Sequence, residues 1–518
     1  MTSKRILFFM LLVSCVAQAQ LADSLFLKEN SFYAPIQNQL WQNPLFFTGQ
    51  QLRDFTQTQI DFTDKNYHLK RIQTAEKSNG YSFETQGIYN IKPKLRLFGD
   101  FIFDKTFEKE LGYNFSSERT ENQNVLSPNY FYAPRKGDWE NQNYHLNGGF
   151  SYEFDNHILL GATAFYENKK LFRTDDPRPQ ITSSNYGGQL QAGYVLKNHR
   201  IFGAVGLLRE AEKTSILYVD DTKNAPVFPE TFTRFSSGYG RIIFNSSYTG
   251  NMSVDRNRNF GGGYQFQNNR NSLSVDYKFN KSMEDFYGRD GNGKVYVDEN
   301  LIQFKYKEVS HTTNVNYFYD GKTLDYKLYA TYFKNQGDNF SVIEQGQNYR
   351  MNLEKLSFGG GLIKKENNRV LYSFEIGATY ARHKYIDLLG SIEKKLNSIE
   401  IEAIFNRDIF AFEKNRLNLQ LSLSNYTALD ESLNYLPLTT DNSFVNNVIF
   451  PDHGFDVTSK LQSKFLAQHY ISLPKKRTLR LFANYATLIA LDKKYLDYVN
   501  AFDSKYSTYF NAGISINY

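Results

Sequence analysis

Cysteine is almost absent from this sequence of 518 residues, which contains a single one, Cys15. Because Cys15 lies within a predicted export signal, we expect the mature chain to have no disulfide, no thiolate nucleophile and no zinc–thiolate site. Long apolar runs are also missing. The longest, which begins at Ile6, spans about a dozen residues, fewer than the roughly 20 that a membrane-spanning helix needs. The sequence therefore excludes membrane-spanning helices.

The first 19 residues have the three parts of a secretory signal peptide. Lys4 and Arg5 form the basic start, an apolar stretch follows, and Ala17-Gln18-Ala19 provides small residues at the cleavage site. The alternative is a lipoprotein signal, because Leu12-Val13-Ser14-Cys15 resembles a lipobox. After the signal we expect a short irregular segment, residues 20–54, that lies in the periplasm or enters the lumen. It is too short for a separate plug domain.

A large excess of charge of one sign is missing too. The chain has 60 Lys and Arg against 54 Asp and Glu, a net charge of +6, and the basic residues are dispersed along it. A nucleic-acid-binding protein usually carries a basic patch or stripe. We therefore expect no nucleic-acid partner.

Aromatic residues, in contrast, are abundant, and they recur with period two. Phe, Trp and Tyr make up 16% of the chain. In the segments 81–91, 144–155 and 417–424, apolar residues alternate with polar ones, a pattern that is typical of strands with one apolar and one polar face. Such strands build either a soluble sandwich or a membrane barrel.

The connections between these strands favour the barrel. Eight tight polar turns, for example Lys197-Asn198 and Asp320-Gly321, alternate with nine longer polar segments, for example 109–141, 174–184, 217–256, 384–398 and 430–453. This arrangement predicts about 18 strands, with 16 as the alternative, and both ends of the chain on the short-turn side. The predicted fold is an all-β, transmembrane, antiparallel up-and-down barrel over residues 55–518, with short periplasmic turns and long extracellular loops.

Two details of the barrel follow from the same pattern. Aromatic residues beside the tight turns are interpreted as an interfacial girdle that faces outward: Tyr89, Phe98, Phe154, Tyr194, Phe202, Phe266, Tyr319 and Phe412. The apolar parity changes between Ile302, Phe304, Tyr306 and Val315, Tyr317, Tyr319, which predicts a bulge within residues 308–312.

The end of the chain resembles the terminal strand that barrel-assembly machinery recognises. Phe510, Ile514, Ile516 and Tyr518 share one face, and the chain stops on an aromatic residue. Ser515 and Asn517 are then expected to face the lumen. We interpret the four residues of the first face as an assembly signal.

Three short motifs resemble outer-membrane β-barrel families of unknown function from diderm bacteria. They are Trp41-Gln42-Asn43-Pro44, Asp176-Pro177-Arg178-Pro179 and Phe450-Pro451-Asp452. The Asn-Pro segment before the first strand is also similar to the long-chain fatty-acid transporter family, whose N-terminal segment enters the barrel as a small hatch. The resemblance implies location in the outer membrane of a diderm bacterium, in contact with outer-membrane lipid.

The sequence shows no motif for catalysis, and we expect that the protein is not an enzyme. The eight histidines form no close ligand pair, and no nucleophile elbow, phosphate-binding loop or dinucleotide fingerprint is present. One loop partly resembles a calcium loop, with Asp290, Asn292 and Glu299 at ligand places, although Gly288 stands where the first Asp should be. Calcium is the one candidate cofactor.

The favoured interpretation of function is a porin-like channel or transport barrel for small solutes. Candidate lumen-facing residues carry both signs of charge: Glu84, Arg96, Asp100, Asp104, Glu153, Asp325, Lys327, Glu375 and Arg480. The alternative is a closed scaffold or binding barrel, whose loops engage a receptor or surface lipoprotein in a TonB-dependent nutrient or iron uptake complex. A second alternative is a secreted β-rich binding protein.

Overall fold

The computed structural model describes residues 43–49, 54–92, 94–120, 127–154, 157–220, 222, 228–244, 250–366, 369–411, 415–437, 442–474, 477–498 and 505–518. The predicted signal peptide, Trp41, Gln42 and Phe412 lie outside these residues. Within the described part of the chain no helix is both long and apolar enough to cross a membrane.

Eighteen antiparallel strands form one closed sheet. They are β1 (Phe55–Asn66), β2 (Lys77–Lys92), β3 (Leu95–Leu111), β5 (Gly137–Phe154), β6 (Ile158–Arg173), β7 (Arg178–Leu196), β8 (His199–Leu217), β11 (Gly250–Gln267), β12 (Asn271–Tyr287), β13 (Ile302–Tyr319), β14 (Leu324–Ser341), β15 (Tyr349–Glu366), β16 (Arg369–Asp387), β17 (Ile392–Ala411), β18 (Asn415–Tyr435), β19 (Lys460–Leu473), β20 (Arg477–Ala490) and β21 (Tyr506–Asn517). Pairing of β1 with β21, from Gln57–Asn517 to Asn66–Thr508, closes the barrel. The predicted fold class and the count of 18 strands are confirmed.

The outer face of the barrel is apolar. Leu190, Ile201, Leu207, Leu328 and Phe358 are each more than half exposed, although they belong to regular strands. Contiguous exposed apolar surface on a closed barrel is the mark of a lipid-facing wall, because water would disfavour it and no sheet edge is left unpaired. The barrel therefore crosses a membrane.

The two ends of the barrel differ as the sequence predicts, but the strands at the loop end are longer than expected. The connection from β6 to β7 is residues 174–177, and that from β16 to β17 is residues 388–391. Much of the polar segments 174–184 and 384–398 is therefore strand. Beyond the membrane both faces of a strand can be polar, so the alternation that marks a strand in the sequence disappears there.

Three of the long connections fold together at the mouth of the barrel. A small sheet is formed by β4 (Asn129–Tyr132), β9 (Arg234–Ser237) and β10 (Ile242–Phe244). Beside it, a π-helical turn (Val445–Ile449) leads into α1 (Phe450–Val457). We call the small sheet, the π-helical turn and α1 together the cap. Single turns of 3-10 helix occur at Glu118–Thr120, Pro229–Thr231, Glu299–Leu301 and Lys494–Asp497.

Apolar side chains hold the cap against the inner wall. Phe131 and Phe235 of the small sheet pack on Trp139, Phe286 and Phe304 of the barrel strands, all at most 2% exposed. On the other side of the sheet, Tyr132 packs on Phe444, Val445, Val448 and Ile449. The cap thus obstructs the loop end of the lumen.

This packing shows that the predicted bulge within residues 308–312 is wrong. Phe304 and Tyr306 point inward to the cap, whereas Tyr319 pairs with the outward-facing Tyr326, so the parity never slips. The register shift of this region lies instead opposite Phe286 and Tyr287, at the start of β13. Apolar residues at the loop end face other protein segments rather than lipid, which reverses the expected pattern.

The short-turn end of the lumen is occupied by a 3-10 helix, Pro44–Gly49, which contacts β5, β6 and β7. Leu45 and Phe46 are at most 1% exposed and pack with Phe98 and Phe202. Phe98 and Phe202 therefore face inward, and their assignment to an outward girdle was wrong. The expectation that segment 20–54 enters the lumen stays a prediction, because most of it lies outside the described residues.

Candidate solute-binding chamber under the cap

A chamber of about 380 Å³ lies between the cap and the inner wall of the barrel. We call it the cap chamber. Its lining combines cationic, acidic and aromatic side chains: Arg71, Tyr130, Tyr239, Tyr349, Lys355, His383, Tyr385, Lys394, Glu400, Tyr426, Asp452, Phe455, Asp456 and Lys460. Small-molecule sites have volumes of about 300–1,000 Å³, so the space suits a small solute.

Asp456 of α1 is the central ionic anchor of the cap. Its Oδ1 lies 2.5 Å from Nη2 of Arg71, in the β1–β2 connection, and its Oδ2 lies 2.6 Å from Nζ of Lys394 on β17. Burial opposes the charge of Asp456, but Arg71 and Lys394 outweigh it and lower the pKa of this carboxyl below its ordinary value. One carboxylate thus joins a loop, a helix and the barrel wall.

Two more residues of α1 secure the helix. Asp452 accepts a hydrogen bond of 2.6 Å from the backbone N–H of Ile72, and burial raises the pKa of Asp452 to about 6. Nε2 of His453 lies 3.0 Å from Glu431, whose carboxylate also accepts a bond of 2.9 Å from Tyr498. Burial lowers the pKa of His453 to about 4, so the imidazole is neutral at pH 7.

Aromatic rings form the rest of the wall. The rings of Tyr239, in the cap loops, and Tyr385, on β16, stack with centroids 4.9 Å apart. Nζ of Lys460 lies 4.2 Å from the ring centroid of Tyr426 and 4.3 Å from that of Phe455. Such cation–π contacts and stacked rings give a surface that can hold both a charged group and a planar or apolar one.

The nine lumen-facing residues predicted from the sequence lie outside the cap chamber. They are on the inward faces of their strands, either near the short-turn end or about halfway along the barrel wall. Several are paired: Lys327 with Glu375 at 2.6 Å, and Asp325 with Lys365 at 2.6 Å. Arg480 donates to Gln59 at 2.5 Å and to Ser515 at 3.0 Å.

The other candidates are Glu84, Arg96, Asp100, Asp104 and Glu153, and these also share the inward face. Arg96 donates to Asn90 at 2.8 Å, and Asp100 accepts from Asn147 at 2.8 Å. None of the nine is among the residues that line the cap chamber within the described chain. The structure thus separates a polar lower wall from the chamber.

Sequence reasoning missed Arg71, Lys394 and Asp456, because they lie in segments far apart in the chain. The nearest signal was Phe450-Pro451-Asp452, which proves to be the first turn of α1.

The predicted calcium loop is a polar turn at the loop end. Asp290 Oδ1 accepts hydrogen bonds from the backbone N–H groups of Asn292, at 2.9 Å, and Lys294, at 2.7 Å, and Glu299 lies in a separate 3-10 turn. Across the described ranges, no group of three or more His, Cys, Asp or Glu is placed to hold a metal ion. Calcium binding stays a prediction.

The terminal strand has the predicted facing. Phe510, Ile514 and Tyr518 are 40–49% exposed on the outer wall, whereas Ser515 and Asn517 are at most 5% exposed. Ile516 lies between these two inward residues and so shares the outer face. Recognition of this strand by assembly machinery stays a prediction.

The closed sheet, the apolar exterior and the inserted loops define an outer-membrane β-barrel. The chain belongs to the family described as Family of unknown function (DUF6850), whose model matches residues 44–518. No curated protein matches the sequence.

Solved structures with a similar fold include the copper transporter OprC, with 8% identity, coverage of 89% of this chain and 80% of that chain, and a TM-score of 0.43. The ferric yersiniabactin uptake receptor FyuA from Yersinia pestis matches with 8% identity, coverage of 90% and 80%, and a TM-score of 0.42. The siderophore receptor PirA from Acinetobacter baumannii matches with 8% identity, coverage of 90% and 81%, and a TM-score of 0.40.

Proposed function

We propose that this barrel takes up a small anionic solute across the outer membrane, and that the cap is its gate. The observation that carries the proposal is the cap chamber, a solute-sized space between the inner wall and the loops that Asp456 links to the wall. The proposal includes no catalytic step and no cofactor.

The charge of the chamber supports an anionic solute. Four lining residues are cationic, Arg71, Lys355, Lys394 and Lys460, against three carboxylates. By formal charge the lining sums to +1, which favours an anion over a cation, and Asp456 is shared between Arg71 and Lys394. The aromatic wall supports a solute that also has a ring or an apolar face.

A second candidate is a closed binding barrel that serves a receptor or surface lipoprotein. It is favoured by the segments that narrow the lumen at both ends, the cap at one end and the helix of Leu45 and Phe46, packed on the inner wall, at the other. The two candidates differ in whether the cap moves, because a scaffold has no need to open.

The test locks and releases the cap in reconstituted liposomes. Glu431→Cys with His453→Cys, in a Cys15→Ser background, replaces the pair that lies 3.0 Å apart by the only two thiols in the sequence. A short bis-thiosulfonate reagent bridges them, and a reductant releases them. We expect the released protein to pass glucuronate faster than glucose, and the bridged protein to pass neither.

Each single cysteine variant, treated with the same reagent, is the control and should conduct in both states. Lys355→Gln should remove the preference for glucuronate without closing the pathway. Equal flux in the bridged and released states would contradict the gate. If neither state passes either solute, the closed binding barrel is the better account.

A further inference from the structure

A second chamber, of about 250 Å³, lies beside the cap chamber. Ser127 and Tyr130 line both spaces, so the segment that leads into the small sheet is the wall between them. We call this second space the acidic chamber. Its barrel wall comes from β8, β11, β12 and β13, and its other side from the β3–β5 connection.

The charge of this chamber is opposite to that of its neighbour. Six carboxylates line it: Glu118, Glu210, Glu212, Asp255, Glu284 and Glu308. Among the described residues that line it, none is Lys, Arg or His. Lys169 lies on β6, which β7 separates from β8. Its ammonium group is 3.6 Å from Glu167 and also interacts electrostatically with Glu118, Glu210 and Glu212 of the chamber. Burial and the neighbouring Glu284 raise the pKa of Glu118 well above its ordinary value, as expected where negative charge is crowded.

Hydrogen bonds satisfy these carboxylates only in part. Glu284 accepts from Ser127 at 2.5 Å, Glu210 accepts from Ser183 at 2.7 Å, and Glu308 accepts from Asn335 at 2.8 Å. An ionised carboxylate has about four acceptor positions, so one or two bonds to neutral donors leave capacity for further donors.

Two buried amides independently indicate a ligand site. Asn129 and Asn251 line the chamber and are only 5% and 6% exposed. Within the described structure, Oδ1 and Nδ2 of Asn129 and Oδ1 of Asn251 have no hydrogen-bond partner. A buried polar group without a partner is costly, and native proteins rarely keep one without reason. Amide oxygens beside carboxylates indicate a ligand that carries hydrogen-bond donors.

We propose that the acidic chamber binds an organic cation that carries several N–H donors, in the class of alkyl diammonium compounds. A bare metal ion fits less well, because no three acidic or His side chains in the described chain are placed to coordinate one. The acceptors are spread over several elements, as a longer ligand with two charged ends requires. Phe115, Phe131 and Phe286 provide apolar surface for its methylene chain.

The site shares strand β4 with the proposed gate, but binding here requires no solute to cross the barrel. The test is calorimetric titration of the folded, detergent-solubilised protein with cadaverine at low salt. 1,5-Pentanediol, which has the same chain without charge, and calcium chloride are the comparison titrants. We expect saturable cadaverine binding that weakens as salt is raised, and no binding of the diol.

Glu212→Gln and Glu284→Gln preserve shape and remove one charge each, and each should weaken cadaverine binding at least tenfold. Asn251→Ala should weaken it several-fold. Glu354→Gln, at a carboxylate whose side chain is 36% exposed outside this chamber, is the matched control and should leave binding unchanged. Heat-modifiable migration on gels confirms that each variant is folded.

The proposal is overturned if cadaverine does not bind, if the diol binds equally well, or if calcium binds in its place. It is overturned as well if the two Glu→Gln variants of the chamber bind cadaverine like the Glu354→Gln control. A failure of glucuronate transport would leave these results untouched, so the two proposals can be judged separately.

Discussion

Asp456→Asn should loosen the cap without unfolding the barrel. The substitution keeps the shape of the side chain but removes the charge that lies 2.5 Å from Arg71 and 2.6 Å from Lys394. The Asp456 and Lys394 side chains are only 10% and 5% exposed, so water compensates little for the lost partner. Removing one member of a buried ion pair costs about 3–5 kcal/mol.

Since about 1.4 kcal/mol corresponds to a factor of ten, the cost predicts a roughly hundred- to few-thousand-fold loss of protection for the amides of α1. The measurement is hydrogen exchange of peptides that cover residues 445–457, in the folded and detergent-solubilised protein. In bilayers the same variant should open more often than the unaltered protein.

Asp338→Asn is the matched control. Asp338 lies 2.7 Å from Arg350 at the loop end, but the two side chains are 37% and 57% exposed, so their pair is worth only about 0–1 kcal/mol. A double variant, Asp456→Asn with Lys394→Gln, should recover part of the lost protection because one buried cation is gone. Equal exchange of α1 in Asp456→Asn and Asp338→Asn would refute the role of Asp456 as anchor.

Three further predictions concern the lower closure, the lipid face and pH. Phe46→Ala should remove about 3–5 kcal/mol of packing free energy at the short-turn end. Hydrogen exchange of the Pro44–Gly49 helix should then be faster. Unchanged exchange would contradict the docking of this helix on the inner wall. Ile514→Arg, on the lipid face, should sharply reduce the amount of assembled barrel seen on heat-modifiability gels. Asn511→Arg, on the inward face beside Asp61, should be tolerated. An equal loss of assembled barrel in both variants would contradict the assigned facing of this strand. Two residues of α1 give docking opposite pH dependences. Burial raises the pKa of Asp452 to about 6, so this residue strengthens docking as pH falls below 6. Burial lowers the pKa of His453 to about 4, so the released helix binds a proton that the docked helix does not, and this residue weakens docking by up to about 3 kcal/mol as pH falls from 6.5 towards 4. Hydrogen exchange should show this dependence reduced in His453→Gln.

Within the membrane, the local pattern of the sequence was enough to predict the fold. Lipid outside and polar groups inside impose strict alternation on each strand, and tight turns and longer loops must then alternate along the chain. The 18 strands, the closure between the two ends of the chain and the facing of Ile514 and Ser515 all follow from this rule.

Where the lumen is filled by the protein itself, the rule gives the wrong face. Phe98 and Phe202 contact Leu45 and Phe46, and Phe304 contacts the small sheet of the cap. An apolar residue packs equally well against lipid or against another protein segment. The alternation of apolar and polar residues along a strand does not distinguish these two environments. Only the folded loops and the inserted segment reveal which environment each ring has.

The candidate sites depend on tertiary structure even more strongly. Arg71, Lys394 and Asp456 are separated by more than 300 and by 62 residues, and closure of the barrel brings them together. The six carboxylates of the acidic chamber likewise come from five separate segments of the chain. The alternation predicted inward facing for other polar residues of the wall, such as Glu84 and Arg480, because polar groups avoid lipid, and it identified none of the charged residues of the two chambers. Which of them meet was decided by how the loops fold into the lumen, and no local pattern encodes that packing.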